Sequence, residues 1–441
     1  MNKLLQLTTY GMKNLENSVT LTFANETIEK GITKINNVKG IFGYNGAGKS
    51  AIMTSVDFYK NIVCNPTFLA QDETKEQLDK LINYKTKEFF ISATFEYHKN
   101  KVLKHYIKIK KSNLNSDYII SAEGYSISAG RTLSDKYVTI IEKKEHEIFI
   151  NDKINSSDNL EYLKNIDLDY LSISQIILKS LLKRTDNDSD VEISNIETLI
   201  LHCYFSIDNI DVFLLASDRH KNYCMDKKRI HNLIQKVEIL KNQNEDSWIE
   251  TYIDDDIVPI EDFDKYKKEN LKLQKFIQIF KPEVLEIQPI PLKDKKFYHV
   301  RRLFVYKDYK VELEFESSGI KQLVKLFTYL MKCANGHTVF IDEIDTNINA
   351  VYFEKLISFY RNYGKGQLIF TSHNIEAMKT LKKQSKSILV LGVNNKIDTW
   401  IGKGNGSPVT DYTNGLIPNS PMNVEDFDFI NIFYGDEQWL N

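Results

Sequence analysis

The sequence predicts an α/β fold with two lobes and a mostly helical insert between them. Three observations predict it: a glycine-rich loop between a strand and a helix, a series of alternating strand patterns typical of an antiparallel meander, and a later strand–helix–strand order typical of parallel sheets. The first lobe, with mixed and antiparallel strands, is expected at residues 1–150. The insert follows at 151–296, the parallel α/β lobe at 297–400, and a tail for packing or partner docking at 401–441.

The length and composition of the chain restrict the classes of protein to which it can belong. The 441 residues suffice for two or three domains with sizeable cores. With 58 basic and 60 acidic side chains the net charge is −2, so binding of nucleic acid would need a local basic patch. Cys64, Cys203, Cys224 and Cys333 have no zinc spacing and are expected to be buried thiols in a reducing compartment. The sequence shows neither a signal-peptide pattern nor a membrane-length apolar run, which predicts a cytoplasmic protein without membrane contact.

The glycine-rich loop follows a short strand predicted at Val38–Phe42 and precedes a helical pattern at Ala51–Val63. It has the form G-x-x-x-x-G-K-S, in which glycines let backbone N–H groups converge on phosphate oxygens and the helix start adds its positive end. Lys49 is predicted to reach the β- and γ-phosphates, and the Ser50 hydroxyl to bind Mg²⁺. A glycine-rich turn that matches the pattern by chance is the alternative. The predicted ATP-binding residues are Gly43, Asn45, Gly46, Ala47, Gly48, Lys49, Ser50 and Ala51.

The rest of the first lobe is predicted to be mainly strands. Residues 3–23 alternate around a turn at 10–14, which indicates two strands, and Gln71–Tyr84 has a helical pattern. Lysines between 101 and 111 could form a basic face, but the solvated face of a strand explains them better. The meander strands are predicted at Glu88–Tyr97, Lys101–Lys111, Asp117–Ile127 and Tyr137–Ile150.

The insert is predicted to be mostly helical, without sustained heptads and therefore without a long coiled coil. Helical patterns cover Leu160–Arg184, Met225–Asn242 and Asp262–Phe280. The acidic run Asp254–Asp256 indicates a solvated loop, because no second set of ligands supports the alternative of a cation site. Three prolines are expected to end this region: Pro282, Pro289 and Pro291.

Strands return in the second lobe at His299–Tyr306 and Lys310–Phe315, and the turn at 316–319 then opens a helix. Strands and helices alternate from there, which predicts parallel strands with crossover helices. The predicted helices are Ile320–Ala334, Ala350–Tyr363 and Ile375–Leu381, and the predicted strands are Thr338–Ile341, Gln367–Thr371 and Ser387–Val393.

Two strand ends in this lobe carry candidate catalytic residues. Asp342 is predicted to hold Mg²⁺ together with Ser50, directly or through water. Glu343 is predicted to orient or deprotonate the attacking water. His373 follows the next strand, where ligand sites form in parallel sheets, and is the candidate γ-phosphate sensor. The alternatives are structural acids at the end of a buried strand and an ordinary loop histidine.

These motifs, in this order, resemble the ABC-type ATPase heads of the SMC/RecF-like group. Within that group they are similar to the AAA-family (AAA_15/AAA_21-like) ATPases common in bacterial phage-defence and abortive-infection systems. The resemblance covers about residues 1–150 and 280–400. It implies an ABC-type ATPase head that uses ATP with Mg²⁺. The motifs that carry it are Asn45–Ser50, Ser317–Gly319, Asp342–Asp345 and Thr371–Asn374.

The resemblance also implies a partner for each site. In such heads the signature turn of one subunit faces the phosphate loop of a second, which implies an ATP-dependent homodimer or a higher oligomer. Ser317 matches the signature serine and Gly319 its second glycine, while Ser318 stands where glycine is frequent. Asp345 matches the D-loop residue that couples the two sites. Gln175 is the candidate Q-loop glutamine, with an ordinary buried glutamine as the alternative.

Three functions remain open at this point. The leading hypothesis is a nucleotide-gated switch in anti-phage defence, in which the head dimer controls a separate effector, such as a nuclease or toxin, and a phage protein is the trigger. A RecF-like DNA-repair ATPase is the second, although the near-neutral charge and short insert count against it. An ATP-gated nuclease is the third. The carboxylates at 425–428 do not follow the scaffold of an appended two-metal nuclease domain.

Overall fold

The computed structural model describes residues 3–27, 31–97, 101–114, 116–128, 130, 132–133, 135–151, 160–166, 168–187, 193–214, 257–384, 386–402, 406–420 and 432. Its helices are α1 (Lys49–Cys64), α2 (Asp72–Leu81), α3 (Ile173–Asn187), α4 (Asn195–Asp208), α5 (Phe263–Phe280), α6 (Ser318–Ala334), α7 (Ala350–Tyr363), α8 (Ala377–Leu381) and α9 (Pro408–Thr413). No helix within these ranges has both the length and the apolar character needed to cross a membrane.

The strands of the first lobe are β1 (Leu4–Tyr10), β2 (Val19–Thr22), β3 (Ala24–Thr27), β4 (Gly31–Ile35), β5 (Val38–Gly43), β6 (Glu88–Tyr97), β7 (Lys101–Lys111), β8 (Tyr118–Ser128), β9 (Tyr137–Lys144) and β10 (Glu147–Ile150). The strands after it are β11 (Ile210–Phe213), β12 (Ile257–Pro259), β13 (Glu286–Asp294), β14 (Phe297–Val305), β15 (Lys310–Glu312), β16 (Thr338–Ile341), β17 (Gln367–Thr371), β18 (Ile388–Leu391) and β19 (Ile397–Thr399).

An antiparallel sheet of seven strands, in the order β10-β9-β8-β7-β6-β1-β2, forms most of the first lobe. The predicted meander is confirmed, and β6 and β7 have the predicted bounds. The hairpin of β3 and β4 was not predicted, because its short strands, ANET and GITKI, are polar and lack a clear alternation.

The second sheet has the order β11-β16-β17-β5-β18-β19. Its pairs are parallel except for β18 with β19, which confirms the predicted crossover topology. The phosphate-loop strand β5 lies at its centre, between β17 and β18. The edge strand β11 comes from residues that the sequence assigned to the helical insert. It pairs with β16, and its residues IDVF include the β-branched and aromatic side chains that favour strands.

Successive residues of the parallel sheet point to two different cores, as strand alternation requires. Ile41, Phe340 and Ile369 join the core that contains α1, α3, α4 and the antiparallel sheet. Their neighbours Phe42 and Phe370 join the core beneath α6, α7 and α8. The phosphate-loop helix α1 is therefore packed between the two sheets, which holds its N-terminus in a defined position.

The described residues of the insert include the helices α3, α4 and α5, as predicted, together with the strands β11, β12 and β13. α5 confirms the predicted helix, but the pattern at Leu160–Arg184 is divided into a short 3₁₀ turn at Glu161–Asn165 and α3. The predicted helix Met225–Asn242 lies outside the described residues. The helical pattern ends at Phe280, before the first of the three prolines. The strand β13, which contains Pro289 and Pro291, was not predicted. Among the described residues β13 pairs with β14 alone, and a strand that is paired on one side tolerates proline.

The described cysteines are buried, and the lysines of β7 lie on a solvated face, as the sequence predicts. Burial raises the pKa values of the thiols of Cys64, Cys203 and Cys333, which are free and buried. The prediction for Cys224 lies outside the described residues. The solvated-face interpretation of β7 is supported by three ion pairs: Lys108–Glu88, Lys110–Glu145 and Lys111–Asp79.

Candidate nucleotide site

The loop between β5 and α1 is built around three glycines. Gly43, Gly46 and Gly48 have φ values of +136°, +78° and +112°, which favour glycine. At Gly43 a Cβ would lie 2.0 Å from the carbonyl oxygen of Leu391. The first turn of α1 contains no acidic residue, so the positive end of this helix is available to an anion.

Lys49 is the first residue of α1 and is 6% exposed. Its ammonium donates to the carbonyl oxygens of Gly43 and Tyr44, at 2.8 and 2.9 Å. Burial lowers the pKa of this ammonium, and the carboxylates that follow β16 oppose the shift. The carbonyl oxygens of the phosphate loop and the carboxylates that follow β16 therefore both interact with the ammonium of Lys49.

The end of β16 is joined to the end of β17 through a buried hydroxyl. Thr371 Oγ1 donates to Asp342 Oδ1 at 2.6 Å and accepts a bond from the backbone N–H of Glu343 at 2.7 Å. Glu343 has a φ of +47°, an uncommon conformation for this residue. Thr371 was noted in the sequence only as part of a motif, and its position at the end of the adjacent strand was the available signal.

The phosphate loop and the Glu343 side chain meet at a cavity of about 670 Å³. His373, which is exposed, also lies at its wall. The structure thus brings together three motifs that are widely separated in the sequence. The cavity is lined by Lys13, Asn14, Asn45, Gly46, Gly48, Lys49, Ser50, Ala51, Glu343 and His373.

Lys13 and Asn14 were missed by the sequence analysis, which assigned them only to a turn. The turn follows β1, and packing places it beside the phosphate loop, where the Asn14 amide donates to the carbonyl oxygen of Gly46. Lys13 has a φ of +51°. A lysine–asparagine pair in a turn carries little signal by itself, because only the tertiary structure brings it to the loop.

A second cavity, of about 420 Å³, adjoins the first and is rich in asparagine. Asn395 Nδ2 donates to the carbonyl oxygens of Asn14 and Ala47, at 3.1 and 3.3 Å. The backbone N–H of Asn17 donates to Asn395 Oδ1 at 3.1 Å. The two cavities share Asn14, Asn45 and Gly46, so one elongated ligand can occupy both.

The predicted Mg²⁺ ligands offer oxygen donors. Ser50 lines the larger cavity, and Asp342 lies next to it, 7% exposed and bonded to Thr371. Across the described ranges, no group of three or more His, Cys, Asp or Glu side chains could hold a metal. Mg²⁺ commonly binds through one or two protein oxygens together with phosphate and water, and the hydroxyl and carboxylate here fit that chemistry.

The predicted signature residues do not line either cavity of their own chain. Ser317 is the N-cap of α6, and its Oγ accepts a bond from the N–H of Ile320 at 3.4 Å. Ser317 and Ser318 are exposed, and Gly319 is partly exposed. A Cβ on Gly319 would lie 3.4 Å from that of Asn347. The start of α6 is thus an accessible helix N-terminus.

The segment after β16 contacts both the histidine loop and α6. Asp345 Oδ2 accepts a bond from the backbone N–H of Asn374, next to His373, at 3.1 Å. Two residues later, Asn347 Nδ2 donates to Gln322 Oε1 of α6 at 2.6 Å. This segment therefore links the nucleotide cavity to the signature turn of the same chain.

Gln175 is not at the site, which corrects the Q-loop prediction. It is 3% exposed, its Oε1 accepts from the N–H of Ser172 at 3.0 Å, and its Nε2 donates to the carbonyl oxygen of Ile62 at 3.2 Å. Ile62 lies near the C-terminus of α1, about 18 Å of helix from Ser50. Gln175 is a buried glutamine whose amide satisfies nearby backbone groups.

Among solved structures, the chain is similar to an SMC head bound to the C-terminal winged-helix domain of ScpA, at 13% identity and a TM-score of 0.44, covering 90% of this chain and 98% of that one. The SMC head domain from Thermotoga maritima matches at 13% identity and a TM-score of 0.35, covering 91% and 100%. The recombination mediator RecF matches at 10% identity and a TM-score of 0.37, covering 90% and 98%.

A search of curated proteins gave no match. A family model does match, over residues 40–379, which is more than half of the chain and includes the phosphate loop, the predicted signature turn and both strand ends with candidate catalytic residues. The chain is therefore a member of the family described as "AAA domain, putative AbiEii toxin, Type IV TA system".

Proposed function

We propose that this protein binds ATP with Mg²⁺ and hydrolyses it, and that ATP-dependent pairing of two heads controls a partner effector. The observation that carries the proposal is the single cavity lined by Lys49, Glu343 and His373. A cation, a candidate base and a candidate sensor around one phosphate loop are the parts that phosphoryl-group hydrolysis requires.

Lys49 would exchange its two carbonyl contacts for β- and γ-phosphate oxygens. Mg²⁺, held by Ser50 and Asp342, would supply charge neutralisation on the phosphates. Glu343 would accept a proton from the attacking water or orient it, while Thr371 keeps the backbone of Glu343 in place through the bond to its N–H. His373, at the open side of the cavity, would contact the γ-phosphate.

The nucleoside end of ATP would occupy the asparagine-rich cavity. That cavity adjoins the phosphate loop and has amide side chains from Asn14, Asn17 and Asn395 at its wall. Amides can both donate to and accept from a purine edge. Lys13, which lines the phosphate cavity, would add a second cation near the phosphates.

The two-head mechanism is supported by the position of the signature turn. Ser317–Gly319 are exposed or partly exposed and lie outside the cavity of their own chain, at a helix N-terminus that can bind the γ-phosphate of another head. A movement of the His373 loop would be transmitted to α6 through Asp345 and the segment after β16, which contacts both. The family description names a putative toxin of a type IV TA system, and on this basis we infer a role in anti-phage defence with a nuclease or toxin as effector. In the RecF-like alternative, DNA would take the place of that effector.

The variant Glu343→Gln tests the proposed role of Glu343 in ATP hydrolysis. The amide keeps the shape of the side chain but cannot accept the proton, so ATP should bind normally and be hydrolysed at least about a hundredfold more slowly. The variant should also accumulate as an ATP-bound dimer, seen by light scattering. Glu354→Gln on the exposed face of α7 is the matched control. Normal single-turnover hydrolysis by Glu343→Gln would remove this residue from catalysis.

A further inference from the structure

A buried carboxylate lies directly before the signature turn. The side chain of Glu316 is 4% exposed and lies between the short 3₁₀ turn Leu313–Phe315 and Ser317, the N-cap of α6. Its Oε2 accepts a bond from the backbone N–H of Ser317 at 3.2 Å. A negative charge is therefore placed at the helix N-terminus that the proposed mechanism presents to the γ-phosphate of another head.

Two further donors reach this carboxylate from outside α6. The hydroxyl of Tyr306, which follows β14, donates to Glu316 Oε1. Burial and the bond to Glu316 raise the pKa of Tyr306 to about 12, so the hydroxyl keeps its proton at neutral pH. The ammonium of Lys281, which follows α5, donates to Glu316 Oε2 at 3.4 Å. Among the described residues, Lys281 is the cation that pairs with Glu316.

The packing of α5 positions Lys281. This residue is the C-cap of α5, and its ammonium lies 4.6 Å from the centre of the Tyr306 ring. Burial lowers the pKa of the ammonium, but the Tyr306 hydroxyl and the charge of Glu316 outweigh burial, so the net shift is upward. The helix contacts α6 through the rings of Phe276 and Phe327, whose centres are 5.2 Å apart. A movement of α5 would therefore change the distance between Lys281 and Glu316.

We propose that Lys281 neutralises Glu316 and thereby allows the signature turn to accept phosphate, so that the position of α5 regulates head pairing. This inference rests on the proposed two-head mechanism. With Lys281 in place, the carboxylate is balanced, and the positive end of α6 can attract the γ-phosphate of the other head. Without Lys281, the buried charge before Ser317 would repel that phosphate, because water screens a buried carboxylate only weakly.

The pair connects the predicted insert to the nucleotide site of another head. The helix α5 belongs to the predicted insert, whereas Glu316 directly precedes the signature turn of the second lobe. Neither Lys281 nor Glu316 lines a cavity of the nucleotide site in its own chain. A partner that binds the insert and displaces α5 would therefore weaken head pairing without changing the phosphate loop. Both side chains act through the signature turn, so they are positioning residues.

ATP turnover per subunit, measured against protein concentration, tests the inference on the full chain. Lys281→Met should raise the concentration for half-maximal turnover by on the order of tenfold, while ATP affinity changes by less than about twofold. Lys281→Arg keeps the charge and should behave as wild type. Lys275→Met, which changes an exposed lysine of α5, is the matched control.

A double variant separates charge from structure. In Lys281→Met with Glu316→Gln, the amide oxygen can still accept a bond from Ser317 or Tyr306 but carries no charge. The concentration for half-maximal turnover should therefore return to within about threefold of the wild-type value. A loss of packing at Lys281 alone would leave the double variant as weak as Lys281→Met.

The possible results distinguish this inference from the two-head mechanism. If Lys281→Met behaves as wild type, or if the double variant is as weak as Lys281→Met, charge neutralisation is wrong and the two-head mechanism stands. Wild-type turnover that is independent of concentration would contradict the two-head mechanism and the inference with it. The free energy of unfolding needs no pairing: Lys281→Met and Glu316→Gln should have non-additive effects, and additive effects would exclude an interaction between the two side chains.

Discussion

The Thr371 hydroxyl donates to Asp342 Oδ1 across 2.6 Å, and Thr371 is fully buried. The same oxygen accepts the N–H of Glu343, so one side chain positions both acids of the site. Its position at the end of β17, beside β16, depends on the parallel pairing of the two strands.

Thr371→Val should therefore lower turnover by about 10- to 100-fold while ATP affinity changes little, because the phosphate loop is untouched. It should also cost roughly 1–3 kcal/mol of the free energy of unfolding, since the buried carboxylate of Asp342 loses its donor. Thr371→Ser keeps the hydroxyl and should restore turnover. A Thr371→Ser enzyme as slow as Thr371→Val would show that packing, and not the hydrogen bonds, matters here.

Lys49→Ala should abolish ATP binding or turnover. Its ammonium already lies beside the loop, bonded to two loop carbonyls, whereas Lys13 lines the same cavity from a separate turn. Calorimetric ATP affinity and steady-state hydrolysis are the measurements, with Lys80→Ala on the exposed side of α2 as the control. Near-normal values of both quantities in Lys49→Ala would exclude this loop as the nucleotide site.

The buried Lys39 predicts how the free energy of unfolding depends on pH. It is 1% exposed on β5, and burial, followed by the charge of Lys386, lowers the pKa of its ammonium to about 7. Between pH 7 and about 10.5 the unfolded chain thus binds more protons at this group than the folded chain. The contribution of Lys39 to the free energy of unfolding therefore rises with pH across this window and is lowest below pH 7.

Lys39→Met removes the penalty of burying an ammonium and should raise the free energy of unfolding by about 1–3 kcal/mol at pH 7, after the lost bond to the Lys386 carbonyl is subtracted. The gain over wild type should shrink towards pH 10. Urea unfolding at both pH values measures it, with Lys355→Met as a control whose difference from wild type stays constant. An equal difference for Lys39→Met at pH 7 and pH 10 would refute the buried-ammonium account.

The sequence predicted the parts of the molecule that depend on local pattern. The loop before α1, the strands β16 and β17 and the carboxylates after β16 all combine a short motif with a clear period. Lys13 and Asn14 could not be found in this way, because they reach the phosphate loop only through packing of the first sheet against α1.

The errors have similar physical causes. Gln175 was chosen for its residue type, but its amide is satisfied by backbone groups at the far end of α1. Strand β13 was not predicted, because prolines such as Pro289 and Pro291 are rare in strands, although an edge strand tolerates proline where one side needs no donor. The strand β11 is four residues long, too short to be separated from the helical patterns around it.

The central claim is that each ATP is hydrolysed between two heads, and Ser317 tests it most directly. Ser317→Arg would fill the space meant for the γ-phosphate of the other head, while leaving the phosphate loop of its own chain unchanged. Because Ser317 is also the N-cap of α6, Ser317→Asp is the second variant: aspartate is a good N-cap, yet its charge repels phosphate. Ser116→Arg, in the turn after β7, is the matched control.

The decisive measurement is ATP turnover per subunit as protein concentration rises, with ATP affinity measured alongside. Wild type and Ser116→Arg should turn over faster at higher concentration, as a dimer requires. Ser317→Arg and Ser317→Asp should bind ATP nearly as tightly as wild type and remain slow at every concentration. The account is contradicted if both Ser317 variants hydrolyse ATP at the wild-type rate and turnover is independent of concentration, since each head would then act alone.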